Sequence, residues 1–439
     1  MSLALEGIKV LDVSQAAAVP MAARHLGDFG ADVVHVEAPL TGDSWRVNQA
    51  GATRPGAAYA PASEINYTFE TFNRNKRSLT LDLAKEGGQG VMCKLLEETD
   101  VLITNMRPSE QEKFRLDYAA LHERYPRLIH ASLSGLGKNG PERDLPAYDI
   151  TAMMFRSGMH YAFANRAKGD FVWRNAFGDL TAGISLFAGI MTALYARERT
   201  GLGQQVDTSL FGLGVYQMSY DVAGFLATGT DFRELAAKMR EEQADTPRMQ
   251  SIVQLTDEAE AATKRLQEFI GGAAMTTAYQ TKDDRKFRVN VLLPDRYHPR
   301  FCRAIGREDL IDDPRFATHE TRIENGPELY RIMKNAFLTK TLEEWRPILN
   351  REEIPWGPEQ TFREVVNDPQ ARANDFFVPF DHPTHGPMEV AANPINLSET
   401  PSTVRLPAPE FSQHTEEVLL ERGFTWEDIA RFKEEGIIA

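Results

Sequence analysis

The sequence predicts an α/β protein: a large domain built on a doubly wound parallel sheet, and a smaller α+β domain. Three observations lead there. Short β-branched runs alternate with segments of helical periodicity through the first third of the chain, the pattern of a parallel sheet covered by helices on both faces. At 439 residues the chain exceeds one average core. Near residue 229 an apolar run gives way to a charged helical stretch, DFRELAAKMREEQADTPRMQ, which marks a boundary.

The strands of the large domain are read in GIKVLDVS (7–14), DVVHVEAP (32–39), SLTLDL (78–83), DVLITNM (100–106) and RLIHASLSGLG (127–137). Between them PMAARHLGDFGA, EGGQGVMCKLLEET and DYAALHERYP carry apolar residues at helical spacing. Ligands of such sheets bind beyond the carboxyl ends of the strands, where the strand order reverses. Next, RNAFGDLTAGISLFAGIMTAL (174–194) reads as a helix apolar on every side, hence buried, running to the cationic residues and glycine of ARERTG. VDTSL is a sixth strand, and FGLGVYQMSYDVAGFLATG a second helix largely sunk in the core.

Further on, MTTAYQTKDDRKFRVNVLL gives two strand-like arms about a Lys-Asp-Asp-Arg turn, and DRYHPRFCRAIG a short helix. The proline-rich HPTHGPMEVAANPINLSETPSTVRLPAPEF suggests an extended, surface-hugging connection, and QHTEEVLLERG with TWEDIARFKEEG a closing pair of polar helices. The chain is accordingly divided into 1–225, the large doubly wound domain; 226–335, the small α+β domain; and 336–439, a linker and C-terminal segment returning to the large domain.

Charge and composition narrow the function. With 49 basic and 63 acidic residues the formal charge is −14, and no Lys/Arg block could track a phosphate backbone, so nucleic acid is not an expected partner. Cys93 and Cys302 form no metal or redox spacing and fit free thiols in a reducing compartment. The N-terminal stretch lacks the pattern of a signal sequence, and no uninterrupted apolar run reaches the length of a membrane span. The expectation is a cytoplasmic protein without a membrane partner.

Two motifs fail on context. Gly135, Gly137 and Gly140 have the G-x-G-x-x-G spacing of a dinucleotide site, but they follow the fifth strand, Pro141 comes next, and the first strand-to-helix turn has no glycine. A nicotinamide oxidoreductase is therefore disfavoured. Asp381, His382 and His385 stand in what reads as a proline-broken loop without a third convergent ligand, so no metal is expected. No G-x-S-x-G elbow occurs either.

Asp179 is the anomaly, a single carboxylate at the mouth of an apolar helix. Local pattern gives it the role of an N-cap. A carboxylate held there by apolar packing, with Gly178 beside it, is also rigid while its face stays accessible.

Taken in order, GIKVLDVS, LGDFGADVVHVEAP with GDSWR, NRNKRSLTLDL, DVLITNMRP, YPRLIHASLSGLGKNGP, PAYD, Gly178-Asp179, ALYARERTGLGQQVDTSL and APEFSQHTEEVL resemble the class III CoA-transferases. That family includes formyl-CoA transferase and carnitine CoA-transferase. The likeness implies a large CoA-binding domain, two subunits interlocked as rings in a homodimer, and no metal or tightly bound cofactor, with coenzyme A entering as acyl-CoA substrate and a carboxylic acid as acceptor. It implies that Asp179 is the nucleophile, forming an acyl anhydride and then an aspartyl-CoA thioester. Carried over by position, the coenzyme would meet Ala17 and Ala18, then Asn73, Arg74, Asn75 and Lys76, then Asn105, Met106 and Arg107, with Lys113 near the phosphates and Tyr148 and Asp149 near the thioester. Val19, Ala17, Ala38 and Pro146 depart from the family pattern, and the glycine loop is reduced to Gly271 and Gly272. These departures point away from a formyl-CoA or oxalate enzyme.

Two further readings share the resemblance. α-Methylacyl-CoA racemases have the same fold, but carry a histidine where this chain has Tyr148, and a phenol is a poor base at neutral pH beside an imidazole. A non-catalytic CoA-binding subunit, as in pairs of unlike subunits, would lack the aspartate. His160, Tyr161, Phe163, Phe171, Trp173 and Phe177 crowd the approach to Asp179 and suit an acid larger than formate.

Overall fold

The computed structural model describes residues 3–46, 65–163, 174–231 and 274–439. Gly271, Gly272, Phe171 and Trp173, and most of the charged stretch after residue 231, lie outside them. Two compact units emerge, one of residues 1–164, 171–222 and 374–439, the other of residues 165–170 and 223–373.

The first unit contains β1 (Lys9–Val13), α1 (Ala18–Asp28), β2 (Asp32–Glu37), α2 (Tyr67–Asn73), β3 (Lys76–Thr80), α3 (Glu86–Leu96), β4 (Val101–Thr104), α4 (Pro108–Phe114), α5 (Tyr118–His122) and β5 (Ile129–Ser134). A π-helical turn, Asp149–Phe155, then leads through α6 (Met159–Phe163) to α7 (Phe177–Thr200) and β6 (Gln205–Ser209). All six strands are parallel in the order β3-β2-β1-β4-β5-β6. The order turns back between β1 and β4, so a crevice opens at their carboxyl ends.

Alternation along each strand explains why two helical layers form. Val10, Val33, Val101, Ile103 and Ile129 face α1 and α7, whereas Leu11, Val34, Val36, Leu79 and Leu102 face α3 and the helices Thr415–Glu421 and Trp426–Glu434. With both faces covered, the central strands β1, β2 and β4 are mainly apolar runs. β3 starts two residues before the expected stretch because Lys76, a lysine at a wholly buried strand position, is paired to Asp12 of β1.

α7 ends as the sequence predicts, with Arg197 and Arg199 in its last turn and Gly201 at φ 77°. Its length and apolarity would let it cross a membrane. Here it crosses α1 so closely that a Cβ on Gly183 would lie 2.8 Å from the Ala18 carbonyl and 2.7 Å from Met21 Cβ. It is not buried all round: Phe177, Leu180 and Tyr195 are exposed. The expected second core helix is two, α8 (Leu210–Gln217) and α9 (Ser219–Thr228), and α9 buries no residue.

In the second unit β7 (Ala278–Gln280) and β8 (Lys286–Val289) form the expected hairpin, with Asp284 at φ 62° in its turn, and β9 (Trp356–Pro358) adds a third strand. Phe287, Phe337, Trp345 and Leu349 share its core, so residues 336–373 complete this unit and only the chain beyond joins the first. Part of the proline-rich stretch is a hairpin, β10 (Phe377–His382) and β11 (Gly386–Ala391), rather than an extended connection. A two-stranded ribbon tolerates Pro379 and Pro387 because each strand has an outer edge.

Candidate active site

At the carboxyl ends of the strands lies a cleft of about 630 Å³. Its floor comes from residues that end β1, β2 and β5 (Val13 to Ala16, Val36 to Ala38, Ser134 and Gly135), and its walls from 81–84, 105–107 and 145–148. Gly135 belongs here for packing, since a Cβ would lie 2.4 Å from Ala147 Cβ. Asn105 ties the crevice together: its side-chain amide donates to the Gln15 carbonyl at 2.7 Å and accepts the Gln15 amide at 3.1 Å, joining the loops after β1 and β4.

Of the residues expected to meet coenzyme A, Asn105, Met106, Arg107 and Tyr148 line the cleft. Ala38 and Pro146, two positions of departure from the family pattern, line it too. Lys113 is exposed on α4, its ammonium 5.1 Å from the ring of Phe114, a cleft residue. Arg143 is a lining cation that sequence reasoning missed; it follows no strand directly, so only the fold brings it there. Ala17 and Ala18 are buried behind Ala16 at the start of α1.

Asn73, Arg74, Asn75 and Lys76 are not brought to the cleft. They are 0 to 2% exposed and have internal partners. Lys76 Nζ donates to Asp12 Oδ2 and Asn73 Oδ1, both at 2.8 Å. Arg74 bonds Asp28 and the Ala391 carbonyl, and Asn75 bonds Asp28 and the Thr403 carbonyl. Arg77 pairs with Asp32, Glu417 and Glu421.

Beneath the cleft a charged chain crosses the sheet: Lys76 of β3, Asp12 of β1, His35 of β2 and Asp43, which lines the cleft. Burial opposes charge on His35, but the Asp12 carboxylate 3.0 Å away prevails and raises its pKa to about 9. The same two cations hold Asp12 well below the usual carboxylate range against its burial.

Asp179 sits in the first turn of α7, half-buried. It is not the N-cap. That residue is Ala176, at φ 62°, with no side-chain cap bond. The cap is supplied by Asp149, whose Oδ2 accepts the Gly178 amide at 3.2 Å. Among the described residues no hydrogen bond is made by the Asp179 carboxylate or its own amide. Burial, and then the charge of Asp149, raise the Asp179 pKa to about 7, against the helix dipole that favours an anion here. Two links join it to the cleft: Tyr148 lines the cleft beside Asp149, and Ala17, behind Ala16, packs with Ala176.

The other motifs find structural roles. Gly137 and Gly140, at φ 105° and 95°, shape a turn rather than opening a helix. His382 is a strand residue whose Nδ1 accepts the amides of Thr384 and His385, while its Nε2 faces Glu70 at 3.8 Å.

Comparison with known proteins agrees with this architecture. The chain is 30% identical over 435 residues to (R)-2-hydroxy-4-methylpentanoate CoA-transferase of Clostridioides difficile, covering 99% of each chain. It is also 30% identical to cinnamoyl-CoA:phenyllactate CoA-transferase of Clostridium sporogenes, covering 98% of this chain and 96% of that one. The crystal structure of Rv3272 from M. tuberculosis superposes with a TM-score of 0.74 at 26% identity, over 94% of this chain and 99% of that one. Residues 5–415 match the family described as CoA-transferase family III, and over that span the chain belongs to it.

Proposed function

We propose that the protein moves coenzyme A from an acyl-CoA to a free carboxylic acid by way of covalent intermediates on Asp179. The observation that carries this reading is the Asp179 carboxylate, half-buried, without a hydrogen-bond partner among the described residues, at a helix start whose Ala176 packs with Ala17 behind the cleft. An unbonded carboxylate is a better nucleophile than a capping one, because no donor shares its lone pairs.

Every step balances without a general base. An Asp179 oxygen attacks the thioester carbonyl and expels the coenzyme thiolate, leaving a mixed anhydride. The thiolate then attacks the aspartyl carbonyl and releases the donor acid as carboxylate, leaving an aspartyl-CoA thioester. The acceptor carboxylate attacks that thioester, thiolate leaves again, and its return to the acceptor acyl carbon gives the new acyl-CoA and free Asp179. The Asp179 amide, open among the described residues, is placed for an oxyanion; one such donor contributes on the order of 3 kcal/mol.

For the coenzyme, we assign the cleft lined by Asn105, Met106, Arg107 and Tyr148, with Arg107 and Arg143 as cations for phosphate. We further propose an acid larger than formate, on the aromatic residues that precede Asp179 in sequence; two relatives are named for such acids, while formyl-CoA:oxalate CoA-transferases match at the same 30% identity. A homodimer fits the exposed apolar stripe of α7, and two free thiols fit a reducing compartment such as the cytoplasm.

Mass spectrometry of the protein incubated with mixed acyl-CoAs tests the reading and reports the accepted acyl group. A hydroxylamine-labile adduct on the Asp179 peptide is expected, absent from Asp179→Ala, which still binds coenzyme A. Undiminished adduct in that variant rejects the assignment.

A further inference from the structure

Asp149 does something at α7 that the transfer chemistry does not by itself require. An acidic residue at the third position of a helix ordinarily folds back to accept the N-cap amide, one half of a capping box. In α7 that residue is Asp179 and the amide is that of Ala176. Among the described residues Asp179 makes no such bond; Asp149 faces this helix start instead and accepts the amides of Gly178, at 3.2 Å, and Ile150, at 2.8 Å. Asp149 is 5% exposed and comes from a separate element. Gly178 permits the approach, since a Cβ there would lie 3.0 Å from Asp149 Cβ and 2.6 Å from Met153 Sδ.

We propose that Asp149 is a positioning residue that takes the Gly178 amide and so caps the N-terminus of α7 in place of Asp179, leaving the Asp179 carboxylate unbonded and free to attack. The inference rests on the transferase reading of Asp179. Charge acts apart from geometry, and in the opposite sense for attack below neutral pH. Asp149 adds its field to burial in holding Asp179 protonated up to about 7. Around the first turns of α7 the other contacts are neutral: α1 presents Ala18 and Met21, the π-helical turn Met153 and Met154, and α8 Gln217, which bonds Thr181, whereas His25 of α1 meets the helix further on, at Phe187, and Asp100 near its end, at Arg197. Asp149 is thus the charged group facing Asp179 from these elements.

Two substitutions separate the acceptor from the charge. Asp149→Asn keeps an oxygen for the amides and removes the charge; Asp149→Ala removes both. Single-turnover acylation by acyl-CoA is followed by mass spectrometry across the pH range. In Asp149→Ala the rate constant at saturating acyl-CoA is expected to fall about tenfold or more with little change in KM. Asp149→Asn should stay within about threefold of wild type, with its acid limb moved down by about one pH unit. An Ala variant that acylates like wild type overturns the proposal, as does an Asn variant that fails equally with its acid limb unmoved. Crystal structures give a readout independent of turnover: Asp179 should turn onto the Ala176 amide in Asp149→Ala and remain unbonded in Asp149→Asn. Wild-type protein that forms no adduct rejects the transferase reading instead, and the Asp179 conformation in Asp149→Ala still decides whether Asp149 holds the helix amides.

Discussion

At the scale of single residues the titration of Asp179 has two consequences of opposite use. Attack needs the ionised carboxylate, and a pKa near 7 leaves about a tenth of it ionised one pH unit lower, so acylation should rise from pH 6 to a plateau near pH 8. A pH-independent rate between those values would refute the assignment. The same raised pKa means that the group's contribution to stability is complete below its unfolded pKa and is lost as pH rises through about 7. Asp179→Asn should therefore be the more stable protein at pH 8, on the order of 1–2 kcal/mol after solvent screening, with the difference vanishing below about pH 4. Thermal unfolding at the two pH values measures this, and a variant no more stable at pH 8 would contradict it. Asp179 was legible in sequence because a lone charge in an apolar run demands a reason. Its neighbour's role was not: that Asp149, 30 positions earlier, caps α7 depends on a close approach at Gly178 which no local pattern encodes.

At the scale of elements, the pattern of short β-branched runs identified β1 to β5 because they are buried, and local signals placed the end of α7, Gly201 and the arginines before it. The coenzyme contacts carried over by position from the resemblance depend instead on long-range contacts. Asn73 to Lys76 look like cations and amides offered at a strand edge, yet the chain from 391 to 406 lies across them. Asn75 Oδ1 accepts the amides of Arg405 and Leu406, its Nδ2 reaches Thr403, and Arg74 holds the Ala391 carbonyl. Asp28 gathers the anchor, bonding Arg24, Arg74, Asn75 and Asn393. Removing that carboxylate leaves two buried guanidiniums without their anion, so Asp28→Ala should cost about 3–5 kcal/mol in denaturant unfolding. A loss under about 1 kcal/mol, the scale of a surface ion pair, would show that the anchor is dispensable.

For the whole molecule, the apolar residues left outside the core point beyond one chain. α7 was read as a helix buried all round, and its composition is that of one, but Phe177, Leu180 and Tyr195 are 52, 44 and 66% exposed along one stripe. A helix of such composition with one face in water is expected to be covered by a partner. A second copy is the economical one, since a two-fold axis lets the same stripe serve as both surfaces. The net charge of −14 opposes association at long range, so contact must be held by apolar burial and should survive high salt. Light scattering should therefore give a dimer mass at both low and high ionic strength. Tyr195→Glu would bury an unpaired carboxylate in each of two symmetric positions, at about 2 kcal/mol or more apiece, enough to weaken the dimer by two orders of magnitude or more. A monomeric wild type, or a Tyr195→Glu variant as dimeric as wild type at micromolar concentration, would remove α7 from any subunit contact and leave its exposed stripe to another occupant.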